Sequence, residues 1–349
     1  MKPKIIGIII LAVAAIAAGL FMMFTKKTQT TQLNGYLGGE KIGLFEDEEF
    51  TDYIKKNYHL QFDYSRAGSL DMVTADLSGR DYLFPSSQTA LEYFDEVNGG
   101  SKASEIVFNT PIVLYSHKIV ADALEKQGVV SQSDGVYYAD TQKLTELILE
   151  EKQWSDIGLP QLFGSVCVDT TDPARSNSGN MFAALLANSL NGGKTVDENT
   201  VNDILPKLKK IFSQTGFMET SSSDLFNQFL RMGVGAKPII AGYENQLLEY
   251  AAENPDDYEK IKDDVVVIYP SPTVWSTHIY IALDDEGKSG IEALTDPKVQ
   301  QMAWEKHGFR TSAFGGSGNT AVQGIPDNLT SVMNMPGYGV MKRIIEELE

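Results

Sequence analysis

Two hydrophobic periods alternate along the chain. Short, nearly continuous apolar runs at residues 42–45, 60–64, 81–84, 106–108 with 111–115, 163–168, 237–244, 265–269 and 276–282 predict strands. Between them, apolar residues recur every three or four positions and predict helices. The clearest is 47–58, with Phe50, Tyr53, Ile54 and Tyr58 on one side, followed by 72–77, 120–126, 144–151, 201–212, 225–232, 245–252, 299–306 and 338–348. Strand and helix taking turns is the signature of an α/β fold, in which ligands lie beyond the carboxyl ends of the strands. After Tyr115 the chain becomes more polar and helical, which predicts a crossing to a second lobe near residues 116–118. The break at Pro270-Ser271-Pro272-Thr273 predicts the return.

Three turns rich in hydroxyl groups interrupt this pattern. Thr170-Thr171-Asp172-Pro173-Ala174-Arg175-Ser176-Asn177-Ser178-Gly179-Asn180 leads into the helical run 181–190. Ala67-Gly68-Ser69 and Pro85-Ser86-Ser87 each end a predicted strand. A helix start carries unpaired N–H groups and about half a positive charge, which suits an anion. The same residues also suit plain capping. Three such turns converging on one ligand is the sharper expectation. Thr220-Ser221-Ser222-Ser223-Asp224 sits where a cap belongs and is expected to be only that. Gly315-Gly316-Ser317-Gly318 lacks the strand-before, helix-after context of a phosphate cradle.

Residues 5–24 carry no charge and are flanked by Lys2, Lys4, Lys26 and Lys27. At about 1.5 Å per residue such a helix just spans a hydrocarbon core of about 30 Å. A cleaved signal peptide ending near Ala17 is the rival reading, but further apolar residues follow that point. An uncleaved anchor with the rest of the chain extracellular or periplasmic is the expectation. Residues 28–35 then form a polar tether.

A chain of 349 residues exceeds one ordinary core and agrees with two lobes. Its formal charge of −18, from 47 acidic and 29 basic residues, argues against nucleic acid as a partner. Cys167 is the only cysteine and lies in an apolar run, so it reads as packing; no disulfide is available within the chain. His59, His117, His278 and His307 show no metal-binding spacing, and no metal or cofactor is implied.

With these pieces assembled, the chain resembles the type II periplasmic solute-binding proteins of ABC transporters, especially the molybdate, sulfate and phosphate-like branch. The residues carrying the likeness are Arg66-Ala67-Gly68-Ser69-Leu70, Asp81-Tyr82-Leu83-Phe84-Pro85-Ser86-Ser87, Thr171-Asp172-Pro173 with Ser176-Asn177-Ser178-Gly179, Gly242-Tyr243-Glu244, and the run from Ile268 to Arg310. The resemblance implies a two-lobe α/β fold with a two-strand hinge, lobe 1 from 36–117 plus 270–349 and lobe 2 from 118–269, behind the anchor of 1–27. It implies hinge closure on a small ligand, an oxyanion in this branch, and an ABC permease or membrane complex as partner. Family binding positions map onto Gly68, Ser69, Ser86, Ser87, Ser176, Ser178, Gly179 and Tyr243, with Arg66 or Arg175 supplying charge. The chain departs from the pattern at Leu70, where a Gly-Ser-Gly turn would continue, and in having no lipid-anchoring cysteine. Competing readings are a tethered sensor or interaction module and an enzyme on the same fold. The enzyme is disfavoured because no Gly-x-Ser-x-Gly is present.

Overall fold

A computed structural model describes residues 30–316 and 321–349. The expected anchor at 5–24 lies outside the described residues, as does part of the Gly315–Gly318 loop. Among the described residues no helix is long and apolar enough to cross a membrane.

Among the described residues nine strands form one continuous, strongly mixed sheet: β1 Thr31–Leu37, β2 Leu60–Arg66, β3 Tyr82–Phe84, β4 Ala103–His117, β5 Val130–Ser133, β6 Val136–Asp140, β7 Ile239–Tyr243, β8 Val265–Ser271 and β9 Trp275–Ala282. The spatial order is β2-β1-β3-β9-β4-β8-β6-β5, with β7 also pairing β4. β4 organises the molecule. Its first half, Ala103 to Pro111, runs antiparallel to β9, and its second half, Ile112 to His117, lies between β7 and β8. The change of partner therefore falls at Pro111–Ile112, inside one strand and earlier than the expected crossing at 116–118. Asn109-Thr110, which look like a break in the apolar run, are simply paired residues of this strand. The return crossing is the short step from β8 to β9, pinned by Thr273 donating to the Ile112 carbonyl at 2.6 Å and Ile112 N–H donating to Val274 at 3.1 Å.

Each half-sheet is covered by helices and has its own apolar core. Leu33, Leu37, Phe45, Phe50, Phe84, Phe108, Tyr280, Val299, Met302 and Phe309 pack together in the first lobe. The second lobe is centred on the helix Asn177–Leu190, whose residues are buried on nearly every side. A helix apolar all round belongs inside a layer, and helices on either side cover this one.

Several expectations change. Ile42-Gly43-Leu44-Phe45 is helical, in Ile42–Glu46, and the first strand is instead Thr31–Leu37, so residues 31–35 begin the sheet and are not tether. That strand was hard to read because its inward face carries Gly35, over which Tyr82 packs: a Cβ there would fall 2.5 Å from the Tyr82 carbonyl oxygen. Residues 163–168 form one isolated bridge, from Ser165 to Gln153, and no strand, with Phe163 fully exposed. Pro206 lies within the helix Val201–Phe212. The carboxyl-terminal segment, expected in lobe 1, returns to lobe 2: Val340, Met341 and Ile344 of the helix Tyr338–Leu348 are buried in the second-lobe core.

A buried ion pair ties this returning segment to the hinge. Arg310 Nε donates to Glu244 Oε2 at 2.6 Å and its Nη2 to Oε1 at 2.8 Å, while Tyr269 donates to Oε1 at 2.5 Å and the Pro326 carbonyl accepts from Nη2 at 2.8 Å. Every oxygen of the carboxylate is engaged, the condition under which a buried charge pair is tolerated.

Candidate functional site

The carboxyl ends of β1, β2 and β7 point at one cleft between the lobes. It encloses a cavity of about 660 Å³. Gly38-Gly39-Glu40 after β1 and Arg66 to Ser69 with Asp71 after β2 form the first-lobe wall. Arg175 to Asn177, Thr220 to Asp224 and Tyr243 form the opposite one. Two bonds join the lobes across it: Arg66 Nη2 donates to Ser221 Oγ at 2.7 Å, and Asn177 Nδ2 donates to the Ser86 carbonyl at 2.9 Å.

Two long helices begin at this cavity. Ser176 is the residue before Asn177–Leu190 and no side chain caps that helix start; its hydroxyl turns instead to Ser178 at 3.1 Å. The helix start therefore stands at the cavity wall, where Ser176 and Asn177 line it, without a cap from its own preceding side chain, a setting that suits an anion. Ser221 stands before Ser222–Met232, accepts weakly from Asp224 N–H at 3.4 Å and receives Arg66. The Thr220–Ser223 run is thus both cap and cavity wall, a role its capping position concealed in the sequence.

Of the residues singled out in the sequence, Gly68, Ser69, Arg175, Ser176 and Tyr243 line the cavity. Ser86, Ser87, Ser178 and Gly179 lie behind its wall. Ser178 is 1% exposed and bonded to Thr171 Oγ1 at 2.7 Å. Gly179 serves packing, because a Cβ there would stand 2.1 Å from the Thr171 carbonyl oxygen. Ser87 is buried and precedes the helix Gln88–Asn98 without capping it. Ser69 accepts from Ser86 N–H at 3.0 Å, which holds the two first-lobe turns together. Arg175 is largely exposed at the rim, 3.8 Å from Asp172. Tyr243 is buried and accepts from Asn177 Nδ2 at 2.9 Å; burial first, then the Glu40 charge, drives its phenol well above 10 and keeps it neutral.

Directly under the first-lobe wall is a charged group absent from the sequence reading. Lys41 is completely buried, and its Nζ donates to Glu40 at 2.5 Å, Ser86 Oγ at 2.7 Å and His278 Nδ1 at 3.2 Å. Ser86 also donates to Glu40. Burial on its own would raise the Glu40 carboxyl, but the Lys41 charge and the hydrogen bonds from Lys41 and Ser86 outweigh it and hold the group at about 2. Burial, and then Lys41, drive His278 well below 6.5, so its ring is neutral and accepts from Lys41. The result is a fixed carboxylate at the cavity edge with its counter-charge sealed behind it. Glu40 and Lys41 fall between the expected tether at 28–35 and the expected strand at 42–45, so no period marked them as buried.

Cys167 also behaves as packing: burial, with a smaller push from Asp169, raises its thiol to about 11. A thiol held protonated is a poor nucleophile.

No protein-family model matches the sequence, and no curated protein matches it. Solved structures do. The periplasmic binding protein AfuA of Actinobacillus pleuropneumoniae, with fructose-6-phosphate bound, is similar over 92% of this chain and 98% of its own, with TM-score 0.58 and 14% identity. The substrate-binding protein of an ABC transporter from Agrobacterium tumefaciens is similar over 93% and 96%, with TM-score 0.56 and 14% identity. The spermidine/putrescine transporter's substrate-binding protein PotD from Streptococcus pneumoniae is similar over 91% and 98%, with TM-score 0.54 and 12% identity. At such identities the likeness speaks for architecture, and with the crossing strands and facing lobes described above it shows that this chain has the two-lobe α/β fold of ABC-transporter solute-binding proteins.

Proposed function

We propose that this chain is a membrane-tethered extracellular solute-binding protein that captures a small oxyanion-bearing ligand between its lobes and presents it to an ABC-type permease. The observation that carries the reading is the cavity of about 660 Å³ whose walls bring hydroxyl groups, helix starts and one arginine from each lobe together, beside the carboxylates of Glu40, Asp71 and Asp224. That volume lies within the range of small-molecule sites, roughly 300–1,000 Å³. Proteins with this fold serve ligands of different charge, since AfuA holds fructose-6-phosphate and PotD belongs to a spermidine/putrescine transporter, so charge preference is argued from this chain's residues. Arg66 and Arg175 stand at the cavity with Ser69, Ser176 and Ser222, and each charge-assisted hydrogen bond contributes about 1.5–3 kcal/mol. A ligand favours closure only by touching both lobes, which Arg66 and Ser69 on one side and Ser176 and Ser222 on the other allow. The role is binding and not catalysis: the serine that meets a base, Ser86 with Lys41, is wholly buried.

The test is a thermal-shift screen of sulfate, molybdate, phosphate and sugar phosphates against amino acids and polyamines. An oxyanion at 100 times its dissociation constant is expected to add about 2.7 kcal/mol of stability. Arg66→Ala combined with Ser69→Ala should abolish that gain. A shift from polyamines alone overturns the ligand class, and no shift from any compound, with a protein partner recovered instead, favours an interaction module. A mature amino terminus near Ala18 by mass spectrometry overturns the tether.

A further inference from the structure

On the flank of the cleft, two carboxylates and a histidine from different lobes meet. Glu249 and Glu253 are four residues apart on the second-lobe helix Glu244–Glu253, so they share one face. That face packs against the first-lobe helix Pro297–His307. His307 is 2% exposed, with Nδ1 2.6 Å from Glu249 Oε1. One donor atom from each of Glu249, Glu253 and His307 lies within 4.8 Å of the others. The other ring nitrogen, Nε2, is buried without a hydrogen-bond partner and stands 3.8 Å from Asp47 Oδ2. Gly43 leaves the room: a Cβ there would fall 2.1 Å from Glu249 Oε1 and 3.4 Å from His307 Nδ1. A groove of about 390 Å³ lined by Glu249 and Glu253 leads to the group from solvent.

We propose that Glu249, Glu253 and His307 bind a divalent zinc-class cation that staples the two lobes together. Two carboxylate oxygens and one imidazole nitrogen suit zinc at bond lengths of about 2.0–2.2 Å, with water completing a tetrahedron. The imidazole selects against magnesium and calcium, which prefer all-oxygen shells. With Nδ1 on the metal, Nε2–H is left to donate to Asp47, the carboxylate–histidine–metal relay that fixes tautomer and ring orientation. Asp47 is itself held in place by Lys306 at 2.9 Å and by Phe50 N–H at 3.0 Å. The metal's two positive charges balance the two glutamates. The groove borders the ligand cavity at Gly39, Glu40 and Ser223, but none of the three proposed metal ligands lines that cavity.

The test is equilibrium dialysis of the purified, EDTA-stripped full chain in detergent against zinc chloride, with bound metal counted by mass spectrometry. One zinc per chain is expected. Glu253→Gln, at an exposed position that leaves folding intact, should weaken binding at least tenfold, and His307→Gln should abolish it. Asp47→Asn, a positioning change, should weaken it 10- to 100-fold. Cobalt in place of zinc should give visible d–d absorption in the wild-type chain and lose it in Glu253→Gln. Absence of stoichiometric zinc, or equal binding by the wild type and Glu253→Gln, overturns the proposal.

Discussion

Single residues decide whether the cavity wall exists. Gly179 sits where the helix Asn177–Leu190 presses on Thr171, and a methyl group there has no space. Gly179→Ala should therefore cost about 1–3 kcal/mol in urea unfolding, the usual toll of overpacking, with ligand affinity reduced because Ser176 and Asn177 shift with the helix. An unchanged midpoint would mean the wall yields freely. Glu40 gives a pH signature. Its folded value near 2 lies below the ordinary 4.5, so its contribution is complete above pH 4.5 and is lost as pH falls towards 2. The loss is on the order of 3 kcal/mol. His278, also lowered, begins to erode stability earlier, as pH falls below 6.5, because the unfolded chain takes a proton the folded one refuses. The stability difference between wild type and Glu40→Gln, measured by denaturation from pH 7 to 2, should shrink below pH 4.5; a difference constant with pH would contradict the buried pair.

At the scale of elements, the carboxyl-terminal helix is the least expected part. Its period was plain from residues 338–348, and the helix is Tyr338–Leu348. Its partner was not plain, since periodicity shows that a face is covered and not by what. In the fold Val340, Met341 and Ile344 enter the second-lobe core, while Tyr338 stacks on Tyr93 of the first lobe at 4.5 Å and its N–H donates to Glu92 at 3.0 Å. The helix thus links the lobes away from the strand crossings. Ile344→Ala should cost about 2–5 kcal/mol, while Lys342→Ala on the exposed face should stay within about 0.5 kcal/mol. Equal effects of the two, measured by chemical denaturation, would show that the helix does not dock.

For the whole molecule, the formal charge of −18 surrounds a cavity proposed to take an anion. Screening extends to about 30 Å at 0.01 M ionic strength but about 8 Å at 0.15 M. The association rate of a divalent oxyanion should therefore rise with salt over this range in stopped-flow experiments, as distant repulsion is screened and the nearby arginines keep acting. A falling rate would show that Arg66 and Arg175 dominate the approach at long range.

Periodicity alone determined the α/β class, the apolar runs 106–108 and 111–115 that the fold joins into one strand, and most helices, because those properties follow from side-chain spacing along one element. The hydroxyl-rich turns marked Gly68, Ser69 and Ser176, since strand ends and helix starts are local features, while Tyr243 was marked only through the resemblance to solute-binding proteins. Which hydroxyls face the cavity was decided only in three dimensions. Ser176 and Ser178 are two residues apart on the same turn, yet one lines the cleft and the other is sealed against Thr171. Lys41 beside His278, Arg310 on Glu244, and His307 among the acids of another lobe are pairings across hundreds of residues or between lobes. Such contacts cost chain entropy to assemble and are held by packing far from themselves, so no local pattern announces them.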